Sequence, residues 1–149
     1  MKLPTRLSVL FFIGIFAAGS TALGYYYYFV YSPPLKAAEA FMAAMENGDL
    51  LALRRVTIMT TNVDEGEFRE PTEEETQRLL TEHFERGRIL DQRKREGKSR
   101  DYYYLVYREP DGGVHALLLT RIGEGFRVVI PERRTTTRES YLWEYTWTN

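Results

Sequence analysis

The sequence predicts an α+β chain: one N-terminal transmembrane helix, then two to three helices packed on a curved antiparallel sheet of four to five strands. Three observations predict it. Leu7 to Tyr31 carries no charged side chain, with Lys2 and Arg6 before it and Lys36 as the next charge. From Leu35 to Val56, and again from Leu79 to Phe84, apolar residues recur every three or four positions. From Arg88 the recurrence falls to two, the period of a strand. Helices first and strands after is the layout of an α+β domain.

The uncharged stretch comes first. Leu7 to Leu23 reads LSVLFFIGIFAAGSTAL. As a helix rising ~1.5 Å per residue it covers roughly 25 Å, just under the hydrocarbon thickness of a bilayer. Tyrosine joins an apolar ring to a polar tip and favours the lipid–water boundary. Tyr25, Tyr26, Tyr27, Tyr28 and Tyr31 are therefore expected at one interface, with Lys2 and Arg6 at the other. Basic residues stay cytoplasmic, so residues after Tyr31 are expected on the extracytoplasmic side of a single-pass inner-membrane protein. Gly14, Ala17, Ala18 and Gly19 are small enough to admit another membrane helix closely. A rival reading is a cleaved signal peptide with Ser20-Thr21-Ala22 as the cleavage site. It would leave an exposed aromatic start, LGYYYYFVY, and the anchor is preferred. Either reading exports the remainder to the same, extracytoplasmic side, which is the periplasm where the envelope has two membranes.

Composition narrows what the exported part does. The chain has 149 residues, of which about 118 follow Tyr31, enough for one core. Formal charge is −1 with Lys2 and Arg6 included, so the exported part stands near −3. Bulk charge therefore argues against nucleic acid as a partner. The chain contains no cysteine, which excludes disulfides, thiol chemistry and a lipid-modified cysteine.

The elements follow in order. Residues 1–31 form the anchor, and 32–34 (Ser-Pro-Pro) a short stiff spacer that ends the membrane helix. The domain spans 35–131. Leu35 to Asn47 is a helix whose stripe is Leu35, Ala38, Phe41, Met42 and Met45. Asn47-Gly48 ends it and Asp49 caps a second, short helix with Leu50, Leu53 and Val56 inward. Thr57 to Thr60 is either a strand or a helix exit, and Asp64 to Glu70 an acidic loop. Thr72 and Glu75 form a capping box for a third helix, with Leu79, Leu80, His83 and Phe84 inward and Gly87 as the stop. Strands are predicted over Ile89–Arg95, Asp101–Glu109, Val114–Arg121 and Phe126–Ile130, joined by turns at Pro110–Gly113 and Gly123–Gly125. Connections this short give an antiparallel meander. Residues 132–149 are a C-terminal extension. In it Tyr141, Trp143, Tyr145 and Trp147 alternate as a final strand with one aromatic face.

The run PPLKAAEAFMAAMENGDLLALRRV, Pro33 to Val56, resembles the opening of bacterial nuclear transport factor 2-like domains, which have a cystatin-like cone. The local signature is Phe41…Gly48-Asp49, and the resemblance extends to about Pro131. It implies a long helix lying across a bent sheet with a pocket at the open end. The family includes enzymes, ligand carriers and assembly factors, so it does not choose among them. A pocket enzyme on this cone, of the kind related to ketosteroid isomerase or scytalone dehydratase, needs a general base and polarising donors in the cavity. His83, on the third helix, and His115, in phase with Leu117 and Leu119, are the candidates, with Asp91 and Asp101 as companions. No family catalytic motif matches residue by residue, so none is carried over.

The other candidates are weighed the same way. Two distant histidines without cysteine make no zinc spacing, and no cofactor or metal is expected. Gly123-x-Gly125 is a hairpin turn without the helix a phosphate loop requires. Asp64 to Glu75 holds seven acids and one Arg, whereas Arg88 to Arg100 holds six bases and two acids. These are two solvated or mutually paired faces, or a basic surface for anionic lipid or an acidic partner, extended by Arg133 and Arg134. The aromatic tail is either sheet completion or a docking surface. The expectation from all of this is a non-catalytic accessory or scaffolding subunit that contacts the bilayer and another membrane or envelope protein. The alternatives are a binding domain for a small apolar ligand, and an enzyme using His83 or His115.

Overall fold

A computed structural model describes residues 5–132 and 141–143. The chain divides into two units, Met1–Pro33 and Pro34–Asn149. Helix α1 (Thr5–Tyr26) is followed by a π turn, Tyr27–Tyr31, and then by helix α2 (Ser32–Asn47). Pro33 and Pro34 therefore lie in the first turn of α2 rather than in the expected spacer. First-turn N–H groups have no intrahelical acceptor, so proline costs little there. The turn before them is widened, and the Ser32 N–H reaches back five residues to the Tyr27 carbonyl.

In the second unit, α2 ends where Gly48 takes a left-handed conformation (φ 67°), and the Asp49 N–H returns to the Ala44 carbonyl at 3.0 Å. Asp49 then caps helix α3 (Leu50–Val56), its carboxylate accepting from the Ala52 N–H at 2.9 Å. Strand β1 (Thr57–Asn62) follows at once, and β2 (Glu67–Arg69) pairs back on it. Helix α4 (Glu73–Leu80) starts with the predicted capping box between Thr72 and Glu75. It ends earlier than expected, because Thr81 turns back to the Arg78 carbonyl through both its N–H and its hydroxyl. His83, Phe84 and Gly87 thus lie beyond the helix. Strands β3 (Arg88–Glu96), β4 (Asp101–Arg108), β5 (Val114–Ile122) and β6 (Gly125–Pro131) form the predicted meander.

The sheet has six strands in the order β2-β1-β6-β5-β4-β3. That is more than the four to five predicted, and the sheet is mixed rather than purely antiparallel. β1 pairs with β6 in parallel, Thr57 to Thr60 opposite Val128 to Pro131. A parallel neighbour needs a long connection, and the chain between β1 and β6 supplies it through α4 and the whole meander.

Each face of the sheet carries an apolar cluster. On one, Phe41, Met42 and Met45 of α2, Leu53 of α3 and Leu79 of α4 pack on Met59, Leu105, Leu117, Leu119, Val128 and Ile130. Phe41 is fully buried, which contributes about 1.5–3 kcal/mol relative to exposure. On the other face Ile58, Tyr102, Leu118 and Val129 are buried, with Phe68 and Trp143 packed beside them. There the β1–β2 turn meets the β3–β4 turn. The Tyr102 hydroxyl donates to the Val63 carbonyl, and the Arg100 guanidinium lies 4.6 Å from the centre of the Phe68 ring. Gly66 (φ 71°) abuts Ser99, leaving no room for a side chain. Turns from near opposite edges touch only because the sheet is strongly curved.

Candidate functional site

The N-terminal unit is the first candidate, because nothing within it covers its apolar side chains. From Ser8 the helix is long and apolar enough to cross a membrane, and none of its most apolar window is buried. Phe11, Phe12 and Phe16 are 67–78% exposed. One polar group inside the stretch is satisfied locally: the Thr21 hydroxyl donates to the Ala17 carbonyl at 2.9 Å. Tyr25 to Tyr28 and Tyr31 stand together at its C-terminal end. Tyr25 stacks on Phe29 at 4.8 Å and Tyr27 on Tyr31 at 5.9 Å. Successive helical residues point about 100° apart, so four tyrosines in a row form a collar rather than a stripe.

The aromatic tail is spent differently. Tyr141 is fully buried, its ring 5.5 Å from Phe41 and 6.0 Å from Phe84, and its hydroxyl donates to the His83 carbonyl at 2.8 Å. Trp143 is half-buried. Its backbone N–H donates to the Ala116 carbonyl at 3.0 Å and its indole N–H to the Val129 carbonyl at 2.9 Å. The expectation that Tyr141 contacts a partner is corrected, because a side chain without exposed surface meets nothing outside its own domain. Trp143 is likewise engaged within the domain. Only an isolated bridge joins Ala116 to Trp143, so the described part of the tail is not a strand. Arg133, Arg134, Tyr145 and Trp147 lie outside the described residues.

The two histidines are not brought together. His83, expected inward, has a side chain 74% exposed and sits 3.4 Å from the Glu85 carboxylate. The early end of α4 turns it outward. His115 does share the helix-side face with Leu117 and Leu119, as its alternation predicts. Its Nε2 is 3.3 Å from the Glu109 carboxylate, its side chain is 13% exposed, and its buried Nδ1 has no hydrogen-bond partner. Asp91 and Asp101 do not join either histidine. Asp91 pairs with Arg93 at 2.8 Å, which holds its carboxyl below the usual range, and Asp101 pairs with Lys94 at 2.7 Å. Among the described residues no three His, Asp or Glu side chains are grouped to hold a metal.

The charge blocks are mostly satisfied internally. Arg69, the one base in the acidic run, grips both Glu75 carboxylate oxygens and Glu132, while Arg127 pairs with Glu70. The Arg69 hydrogen bonds, with those from Thr72, hold the Glu75 carboxyl down at about 2 despite partial burial. In the basic run, Lys94 is raised by Asp101, and Arg95 donates to the Tyr104 hydroxyl at 3.2 Å. Beside the Arg69 hub lies a cleft of about 300 Å³. Met59, Leu79, Ile130 and Pro131 are its apolar lining, and Glu75, Arg78, Glu82 and Glu132 its charged lining. Sequence reasoning missed Arg69 as an organiser. The available signal was a lone Arg among seven acids.

Family models, curated proteins and solved structures all give no match to this chain.

Proposed function

We propose that this chain is a single-pass membrane protein whose exported α+β domain serves as a non-catalytic accessory or scaffolding subunit of a membrane assembly. The observation that carries the reading is the uncharged stretch from α1 through the π turn, apolar, exposed on every side and closed by a tyrosine collar. Apolar surface of that extent is stable only in an apolar solvent, and lipid is the one available along the full length of such a helix. The positive residues before it favour a cytoplasmic N-terminus and an extracytoplasmic domain.

The domain is read as a relative of nuclear transport factor 2-like domains. Support comes from the order of its elements and from α2 packing across one face of the curved sheet. A protein-contact role is preferred over a pocket role because Phe41, Met42, Leu105, Leu117, Leu119 and Tyr141 fill the space between α2 and the sheet. His83 faces outward, which favours a contact role over a pocket base at that position. The test is purification of the full-length chain in mild detergent, followed by mass spectrometry. The reading predicts a defined membrane or envelope protein in fixed ratio. Recovery of the chain alone, with turnover of a small molecule that His115→Ala abolishes, would replace it with the enzyme reading.

A further inference from the structure

Two backbone carbonyls at the tyrosine collar have no helical donor. In an α-helix a carbonyl accepts from the N–H four residues on, and in a π turn from the N–H five residues on. For Phe29 both of those residues are proline, Pro33 and Pro34, and neither has an N–H. For Tyr28 they are Ser32, whose N–H goes to the Tyr27 carbonyl, and Pro33. The prolines that suit the first turn of α2 thus leave a deficit in the turn before it. Among the described residues no side-chain hydrogen bond to either carbonyl makes up for it. Tyr28 is 66% and Phe29 68% exposed, so an outside donor can reach this turn. A carbonyl left unpaired beside lipid is costly, and a donor from outside relieves it.

The surroundings select the donor. Tyr25 stacks on Phe29, and Tyr27 meets Tyr28 edge to face at 5.6 Å. Aromatic ring faces, which attract cations, therefore border the turn. No charged side chain stands between Arg6 and Lys36, so the stretch offers neither a cation to fill the place nor a carboxylate to compete for one. At ~1.5 Å per residue Tyr28 lies roughly 32 Å along the helix from Leu7, the depth at which headgroups replace hydrocarbon.

We propose that this turn binds the headgroup of a lipid that ends in a primary ammonium, as in phosphatidylethanolamine. The inference rests on the membrane reading above. A primary ammonium has N–H donors for both carbonyls, and its charge suits the ring faces around them. The trimethylated ammonium of phosphatidylcholine has the charge but no donor, so it meets the rings and leaves the carbonyls unpaired. An anionic headgroup such as phosphatidylglycerol brings the wrong sign of charge to both.

The experiment reconstitutes the full-length chain in bilayers of equal phosphatidylethanolamine and phosphatidylcholine. The protein is then taken up in mild detergent, and the lipids retained on it are counted by native mass spectrometry. The ethanolamine lipid should be enriched about fivefold over the choline lipid, because charge-assisted hydrogen bonds separate the two. Its mono- and dimethylated forms should fall between them, in the order of the N–H groups they keep. P33A/P34A restores both backbone donors and should return the retained ratio to that of the bilayer. P33A alone leaves the buried Pro34 in place and should lower the enrichment. It decides the matter should the double variant lose the native circular dichroism spectrum. A wild-type ratio equal to that of the bilayer, enrichment that survives the proline replacements, or preference for phosphatidylglycerol when it is added would overturn the proposal. Failure of the chain to float with the bilayers would instead contradict the membrane reading, and the lipid site would fall with it.

Discussion

The two units treat the same residue type in opposite ways. Phe11, Phe12 and Phe16 in α1 are about 70% exposed, whereas Phe41 in α2 is not exposed at all. Both helices carry Phe and several Ala residues, but α2 alternates its apolar stripe with Lys36, Glu39 and Glu46. The charged face gives α2 an inside and an outside, and its stripe finds the sheet. α1 has no charged face, so no rotation of it shields its side chains. The difference between the regions is thus a difference in solvent: protein interior for one and, on the proposed function, lipid for the other.

Changes that remove the distinction should have the largest effects. Phe41→Ala should cost the folded unit about 3–5 kcal/mol in chemical denaturation while leaving membrane retention unchanged. Ile15→Arg should do the reverse. It places a charge near the middle of the uncharged stretch at an insertion cost of about 2.5–3.5 kcal/mol, measured as the fraction floating with membranes, with the domain's unfolding midpoint unmoved. Thr72→Ala removes the α4 cap and should cost about 1 kcal/mol. The Arg69–Glu75 contact should then show in the pH dependence. Glu75 is held at about 2 in the folded state against an ordinary value of 4.5. Its contribution is therefore complete above about pH 4.5 and lost as pH falls toward 2. Partial exposure limits it to about 1 kcal/mol, and Glu75→Gln should flatten that part of the stability profile. Leu51 is 68% exposed although it belongs to the folded unit, so Leu51→Ala should change stability by less than about 0.5 kcal/mol.

How far the sequence could be read depended on how local the physics is. Gly48-Asp49 and Thr72…Glu75 were legible because a cap is made within four residues of itself. β4 to β6 were legible because alternation and tight turns leave little choice of pairing. β2 was not, since three residues inside an acidic run carry no period. The β1–β6 pair was not legible either, because partners so far apart in sequence leave no trace in either strand. In the candidate site, the exposed collar Tyr25 to Tyr28 was plain from composition. Tyr141 was not, as a period of two tells which residues share a face and not what covers that face. His83 failed because Thr81 ended α4 one turn too early for the stripe to continue.

The most direct test of the account is whether the full-length chain resists extraction from membranes. After an alkaline carbonate wash, the account predicts that it stays in the membrane pellet and is released only by detergent. Recovery in the soluble fraction before any detergent is added would contradict it.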